Sequence, residues 1–318
     1  MASATTVGTA KRHKKNLLKN QISQPVNVIL HIIFIIGVVF CVYPVLIIIG
    51  SSLTDELTLA QFGYNIIPRV FTTNAYKYVA ATGLTVVRAY GVTIFATVFG
   101  TLFSVAFTSM FSYPLARTEF PWRRHFSLFI YITMVFGGGL IPYFIVITRF
   151  LHLGNTLFVL FVPAMFGGYN AFVLRTFINR NIPSELIESA RIDGSTEFNT
   201  YTKIVVPLSK AGLATIAFFT ALYFWNDWYT CLLFNGSKPH LYDLGYLLYQ
   251  ILMTVQYLSS IATNAGLQKM NLPPSMGIIP KTSMQMAMCV MALGPIIIVY
   301  PFFQRFFIKG LVIGAVKG

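Results

Sequence analysis

Four of the chain's nine acidic residues, Glu185, Glu188, Asp193 and Glu197, fall in one short stretch, 182–207, between two strongly apolar segments. Together with Arg191 they could pair with a polar surface. No nucleophile–base pair accompanies them, so they do not read as a catalytic centre. A second candidate is the run Tyr223-Phe224-Trp225-Asn226-Asp227-Trp228-Tyr229. Aromatic faces stack on sugar C–H surfaces, and Asn or Asp hydrogen-bonds sugar hydroxyls. Tyr223, Trp225, Asn226 and Asp227 are therefore candidates for a sugar path. Trp228 and Tyr229 read as interfacial belt residues, and Asn226 equally suits hydrogen bonding between helices. Metal chemistry is not expected. His31, His125, His152 and His240 lack ligand spacing, and Cys41, Cys231 and Cys289 lie far apart without a CxxC. The cysteines read as small core hydrophobes, and the late methionines (Met270, Met276, Met284, Met286, Met288, Met291) as soft packing or adaptable lining.

A helix must position the acidic stretch. Pro183, Ser184 and Glu185 mark its start, with acids where the helix dipole favours them, and Asp193-Gly194 marks its stop. Such a helix can offer Leu186, Ile187 and Ala190 to an apolar groove of another protein, with Glu185, Glu188 and Arg191 pairing at the rim. Gly194 permits the close turn that follows.

The rest is oil. The 318 residues are 56% hydrophobic and only 10% charged, with a mean hydropathy of +0.69, which defines an all-α polytopic membrane protein. The net charge of +14 reads as a positive-inside bias rather than a nucleic-acid surface. Runs long enough to cross about 30 Å of hydrocarbon occur at 26–50, 89–113, 126–147, 156–178, 208–233 and 284–307, giving six transmembrane helices. With both termini cytoplasmic, 16 of the 23 Lys and Arg lie on the cytoplasmic side, as does the acidic helix. The domain plan is a disordered basic arm at 1–25, a six-helix bundle at 26–308 and a tail at 309–318. The apolar run after the arm is too long for a signal-peptide core and reads as a retained anchor. Outside the membrane, 51–87 lies along the surface, and 234–283 forms a short surface helix at its apolar patch 244–255 followed by a Pro-rich loop. Gly137-Gly138-Gly139 with Pro142 interrupts the third span, as a hinge or a close helix crossing would, and the close crossing is the preferred expectation.

From Glu188, the spacing Glu-Ser-Ala, Gly194, Ile204, Val206 and Pro207 resembles the EAA loop of binding-protein-dependent ABC importer permeases. Ser189 and Val206 are small departures from that family's usual Ala and Leu. Arg88-Ala-Tyr, Ser112-Tyr-Pro-Leu-Ala-Arg, Gly137-Gly-Gly-Leu-Ile-Pro-Tyr, Trp225-Asn226 and the end Gly310-Leu-Val-Ile-Gly-Ala-Val-Lys-Gly resemble the carbohydrate-uptake branch, near the maltose-type second permease and the LplC-like polysaccharide permeases. The resemblance covers 25–318 and implies a type I importer permease fold in a bacterial cell (inner) membrane, with a coupling helix built from Glu185, Leu186, Glu188, Ala190, Arg191, Asp193 and Gly194. It also implies partners: a second permease subunit, two cytoplasmic ATPase subunits that bind the ATP and Mg, and an extracellular solute-binding protein. In maltose-type permeases a tail placed like 309–318 reaches into the ATPase dimer; a frayed end is the competing reading.

The chain has no G-x-x-x-x-G-K-[ST], so it does not bind ATP by that route, and no cofactor is expected within it. The function expected is therefore that of a non-enzymatic permease subunit importing an oligosaccharide across membrane lipid, with no nucleic-acid partner. An ABC permease for a non-sugar solute is the first alternative. A secondary transporter would show internal repeats and intramembrane acids, for which Asp227 is the only candidate. A membrane glycosyltransferase would need a catalytic constellation that is not found. The outer segments carry Arg69, Lys77, Arg88, Arg149, Lys238, Lys269 and Lys281 against Asp55, Glu56, Asp227 and Asp243. That excess suits an acidic, uronate-containing oligosaccharide, and equally an acidic binding protein.

Overall fold

A computed structural model describes residues 24–81, 84–264 and 281–315. The arm at 1–23, Lys269, Met270, Met276 and the Pro-rich stretch from Pro273 to Pro280 lie outside them. Backbone groups in hydrocarbon have no water to bond, so the chain satisfies them within helices. In order these are α1 (Gln24–Ser52), α2 (Glu56–Phe62), α3 (Asn74–Ala81), α4 (Leu84–Ala116), α5 (Arg123–Val135), α6 (Leu140–Ile145), α7 (Gly168–Asn181), α8 (Ser184–Ile192), α9 (Glu197–Thr200), α10 (Lys210–Asn226), α11 (Tyr229–Phe234), α12 (Leu244–Asn264) and α13 (Lys281–Ala315). Among the described residues, extended backbone pairs only at an isolated bridge between Thr54 and Phe71.

Three helices are long and apolar enough to cross a membrane: α1, α4 and the part of α13 from Thr282 to Pro301. Counting each of three bent pairs as one span gives up to six among the described residues. Arg123–Val135 with Leu140–Phe150 turns by 110°, Phe158–Ala164 with Gly168–Asn181 by 52°, and Glu197–Leu208 with Lys210–Asn226 by 78°. The third, fourth and fifth expected spans are thus broken helices. The fifth also stops at Asn226, seven residues short of the expected 233 (233 − 226), and α11 follows as a separate short helix. At the other end, α13 runs unbroken through 309–315, so the expected tail extends the last helix.

Two expectations are corrected. Gly137 and Gly138 have open space where a Cβ would sit, and Gly139 adopts φ +83, so this glycine run makes a sharp break rather than a close crossing within the chain. The patch at 244–255 is not a surface helix. It is the first half of α12, and Leu244, Tyr246, Leu247 and Leu248 are buried in the two apolar clusters of that end.

The bundle is organised around α4. Its buried positions Ala89, Thr93, Ala96, Gly100, Ser104, Thr108 and Ser112 recur every three or four residues, which puts them on one face. Small residues let helices approach closely where no hydrophobic force draws them together. Helices α7 and α10 pack on that face, and the Ser112 hydroxyl donates to the Ala171 carbonyl at 3.0 Å. The last helix is tied in by side chains: Tyr90 donates to the Met291 carbonyl at 2.9 Å, and Trp225 Nε1 to the Ala292 carbonyl at 3.0 Å. A Cβ on Gly100 would lie 2.6 Å from the Phe224 ring. Gly100→Val is therefore expected to overpack the α4–α10 contact by about 1–3 kcal/mol. Size-exclusion profiles of the extracted protein should show a severalfold loss of monodisperse material, partly restored by adding Phe224→Ala.

Candidate functional site

At one end of the bundle stands α8. Glu185 lies in its first turn and Arg191 in its last, both complementing the helix dipole. It ends in a Schellman turn: the Ser195 N–H donates to Ala190 at 2.9 Å, the Gly194 N–H donates to Arg191 at 3.1 Å, and Gly194 takes φ +78. The helix and its stop therefore fall where the sequence places them.

Its faces differ from expectation. Ile187 and Ala190 turn inward; Ile187 joins a core with Tyr113, Leu174, Ile178, Ile182, Val205 and Ile216. They are thus unavailable to a partner, which corrects their expected place in an external groove. The outward apolar groups are Leu186 at 44% exposure, Ile192 at 86% and Phe198 at 66%, with Glu185, Glu188 and Asp193 exposed beside them. Arg191 is also accounted for within the chain, its guanidinium donating to Glu197 at 2.7 Å.

Glu197, expected only to pair with a polar surface, has two partners within the chain. One carboxylate oxygen takes the Arg191 bond, and the other accepts from the Tyr113 hydroxyl at 2.6 Å. A second tie, 2.6 Å between the Ser109 and Tyr201 hydroxyls, runs parallel to it. Both join the C-terminal end of α4 to the segment that follows α8. The exposed Arg191–Glu197 pair contributes little by itself, whereas the half-sheltered Tyr113 bond to a carboxylate is of the stronger class. A cavity of about 430 Å³ opens beside these ties, lined by Tyr113, Arg117, Glu119, Phe120, Glu197 and Tyr201 among others. Arg117 is buried, and its Nε donates to Glu119 at 3.1 Å. The two ion pairs among the described residues, Arg117–Glu119 and Arg191–Glu197, are both at this end. The available signal was the Ser112–Arg117 motif, which carries both Tyr113 and Arg117.

The opposite end holds the aromatic run. Tyr223 is exposed at 54%. Trp225 is half-buried, and its ring nitrogen donates to the Ala292 carbonyl of α13 at 3.0 Å. Asn226 is exposed and bonds back to Leu222 of its own helix at 2.8 Å. Asp227 accepts from the Thr230 N–H at 3.1 Å and so starts α11. Trp228 stacks on Tyr249 at 4.5 Å.

The other acids at this end are also spent on helix starts. Asp55 accepts from the Leu57 N–H, Asp243 from the Tyr246 N–H at 2.6 Å, and Glu56 from the N–H groups of Thr282 and Ser283 at 2.8 and 2.9 Å. Arg69, Lys77, Arg88, Arg149 and Lys238 are all exposed and in no ion pair among the described residues. The end is therefore more positive than residue counts suggest. Burial pushes the Asp243 carboxyl up to about 7, against the lowering effect of the bonds from Tyr246 and Cys231. A carboxyl raised in the fold stabilises below its unfolded value, and that contribution is lost as pH rises toward 7. Thermal melts of the wild type should thus fall from pH 5 to pH 8, while Asp243→Asn, which keeps the capping oxygen, should flatten that slope.

The fold is that of an all-helical chain with helices long and apolar enough to cross a membrane. Residues 107–313 match the family described as binding-protein-dependent transport system inner membrane component, and the chain belongs to that family of ABC importer permeases. It is 37% identical over 290 residues, 91% of this chain and 94% of the other, to protein LplC of Bacillus subtilis (strain 168). It is 31% identical to the polygalacturonan/rhamnogalacturonan transport system permease protein YtcP of the same organism, covering 87% of this chain and 93% of that one. Among solved structures it resembles, with a TM-score of 0.72 and 25% identity over 90% of this chain and 99% of the other, a chain of a bacterial ABC transporter involved in the import of the acidic polysaccharide alginate.

Proposed function

We propose that this chain is one of two permease subunits of an importer that carries an oligosaccharide, of an acidic, polysaccharide-derived kind, inward across the bacterial cell membrane. Two ATPase subunits holding ATP and Mg work from the cytoplasmic side, and a solute-binding protein delivers sugar outside. Both termini and α8 are cytoplasmic. Leu186, Glu185, Glu188, Asp193 and Gly194 face the ATPase, and Ile192 and Phe198 take the places first expected of Ile187 and Ala190. ATP binding moves the bundle because α8 fits the ATPase surface differently in its open and closed states. Arg191 and Glu197 transmit that motion to α4 through Tyr113. Tyr223, Asn226 and Asp227 lie on the sugar path.

The observation that carries the acidic class is the charge arrangement outside: the four acids there start helices, while Arg69, Lys77, Arg88, Arg149 and Lys238 are in no ion pair among the described residues. Likeness to relatives named for polygalacturonan and alginate supports the same class. The test is uptake by the complete complex in proteoliposomes, using oligogalacturonate, alginate oligosaccharide and neutral maltooligosaccharide. Carboxylated chains should enter at least several times faster than neutral ones, and only with ATPase subunits whose Walker lysine is intact. Faster entry of the neutral chains would overturn the acidic class.

A further inference from the structure

The outer end contains a cavity of about 620 Å³, within the range of small-ligand sites. Phe144, Arg149, His152, Asn155 and Ser237 line it, and its lining contains no acid. His152 and Asn155, at φ 51 and 58, are the two non-glycine residues with positive φ among the described residues. Such backbone is uncommon and persists where surroundings over-determine it, as at ligand sites. Here the turn is held on several sides. The Asn155 N–H donates to the Phe234 carbonyl at 3.0 Å, the Leu153 N–H to Ile147 at 3.0 Å, and Asn235 to the Thr156 carbonyl at 3.2 Å. Ser237 bonds the Asn155 amide oxygen at 2.7 Å, and Lys238 Nζ reaches the Asn155 carbonyl at 3.4 Å, placing a second cation beside the cavity. Phe144 stacks on Phe234 at 5.5 Å, and Tyr143 meets the same ring edge-on at 5.8 Å.

We propose that this cavity is a subsite for the carboxylate of a uronate residue, with Arg149 as the principal anion contact. Arg149 is exposed, unpaired among the described residues, and able to make a bidentate bond to a carboxylate. Phe144, 41% exposed, supplies a face for the sugar ring, and Lys238 strengthens the positive field. Because Arg149 is exposed and forms no ion pair among the described residues, replacing it is expected to leave the fold intact. The subsite rests on the acidic-oligosaccharide reading given above.

The experiment uses the complete complex in proteoliposomes at saturating binding protein, with oligogalacturonate and its fully methyl-esterified form as probes. Arg149→Gln should lower the maximal uptake of oligogalacturonate about tenfold and that of the ester less than twofold; Arg149→Lys should recover part of the loss. Affinity of the binding protein for the complex, measured separately, should not change. Equal uptake of oligogalacturonate by wild type and Arg149→Gln would overturn the subsite and leave the functional reading standing. Parallel loss for both probes, with weakened binding-protein affinity, would assign Arg149 to protein docking and also overturn it. A wild-type complex that imports neutral chains but neither oligogalacturonate nor alginate oligosaccharide would remove the acidic reading and the subsite together.

Discussion

Gly194→Val should cut ATP-driven uptake by the assembled complex about tenfold while leaving membrane insertion and complex assembly intact. A left-handed backbone costs an ordinary residue about 1–2 kcal/mol, and a β-branched one more, which sets the scale. A Cβ at Gly194 meets nothing within 4 Å in this chain, so the effect is conformational rather than steric. Losing φ +78 opens the turn that ends α8, and the segment carrying Glu197 then leaves Tyr113 and Arg191. Gly194→Asn is the control, because Asn tolerates this region far better than Val. Uptake per ATP hydrolysed should rank wild type, Asn, then Val. Equal and severe losses for Asn and Val would instead place a partner surface directly against Gly194.

Tyr113→Phe and Glu197→Gln should each lower uptake per ATP severalfold, and the double variant should be no worse than the more damaged single variant. Both substitutions weaken one 2.6 Å bond between α4 and the segment after α8, so their effects are not additive. A hydrogen bond to a charged group contributes about 1.5–3 kcal/mol. A double-mutant cycle on uptake, repeated on thermal stability, separates the two roles. A coupling energy present in stability and absent from uptake would make this tie structural only.

Elements set by local sequence were legible before any coordinates. The bounds of α8 follow from Pro183 and from Asp193-Gly194. Which way α8 faces was not legible. Leu186, Ile187 and Ala190 are all apolar and fall within one arc of about 100° on a helix, so the pattern alone does not say whether that stripe packs on the chain's own core or on a partner. The core reached by Ile187 includes Tyr113, Leu174 and Ile216, residues remote in sequence. Glu197 escaped for the same reason, being 84 residues from Tyr113. The 110° break at Gly137-Gly138-Gly139 and the burial of α12 were misread because glycine runs suit both crossings and bends, and a patch too short to span can still be core. At the end opposite α8, counting charges found the excess of bases; only the caps formed by Asp55, Glu56, Asp227 and Asp243 show that the acids are occupied.

The drive that a partner protein exerts on this chain is expected to act through the outward face of α8. Its most direct measurement is site-specific cross-linking in the assembled, ATP-hydrolysing complex, placing a single cysteine in turn at Leu186, Ile192 and Ile187. Cysteines at the two exposed positions should cross-link to the ATPase subunit in a nucleotide-dependent way, and the buried Ile187 position should not. Failure of both exposed positions to reach the ATPase, in a complex that still imports sugar on ATP, would contradict it.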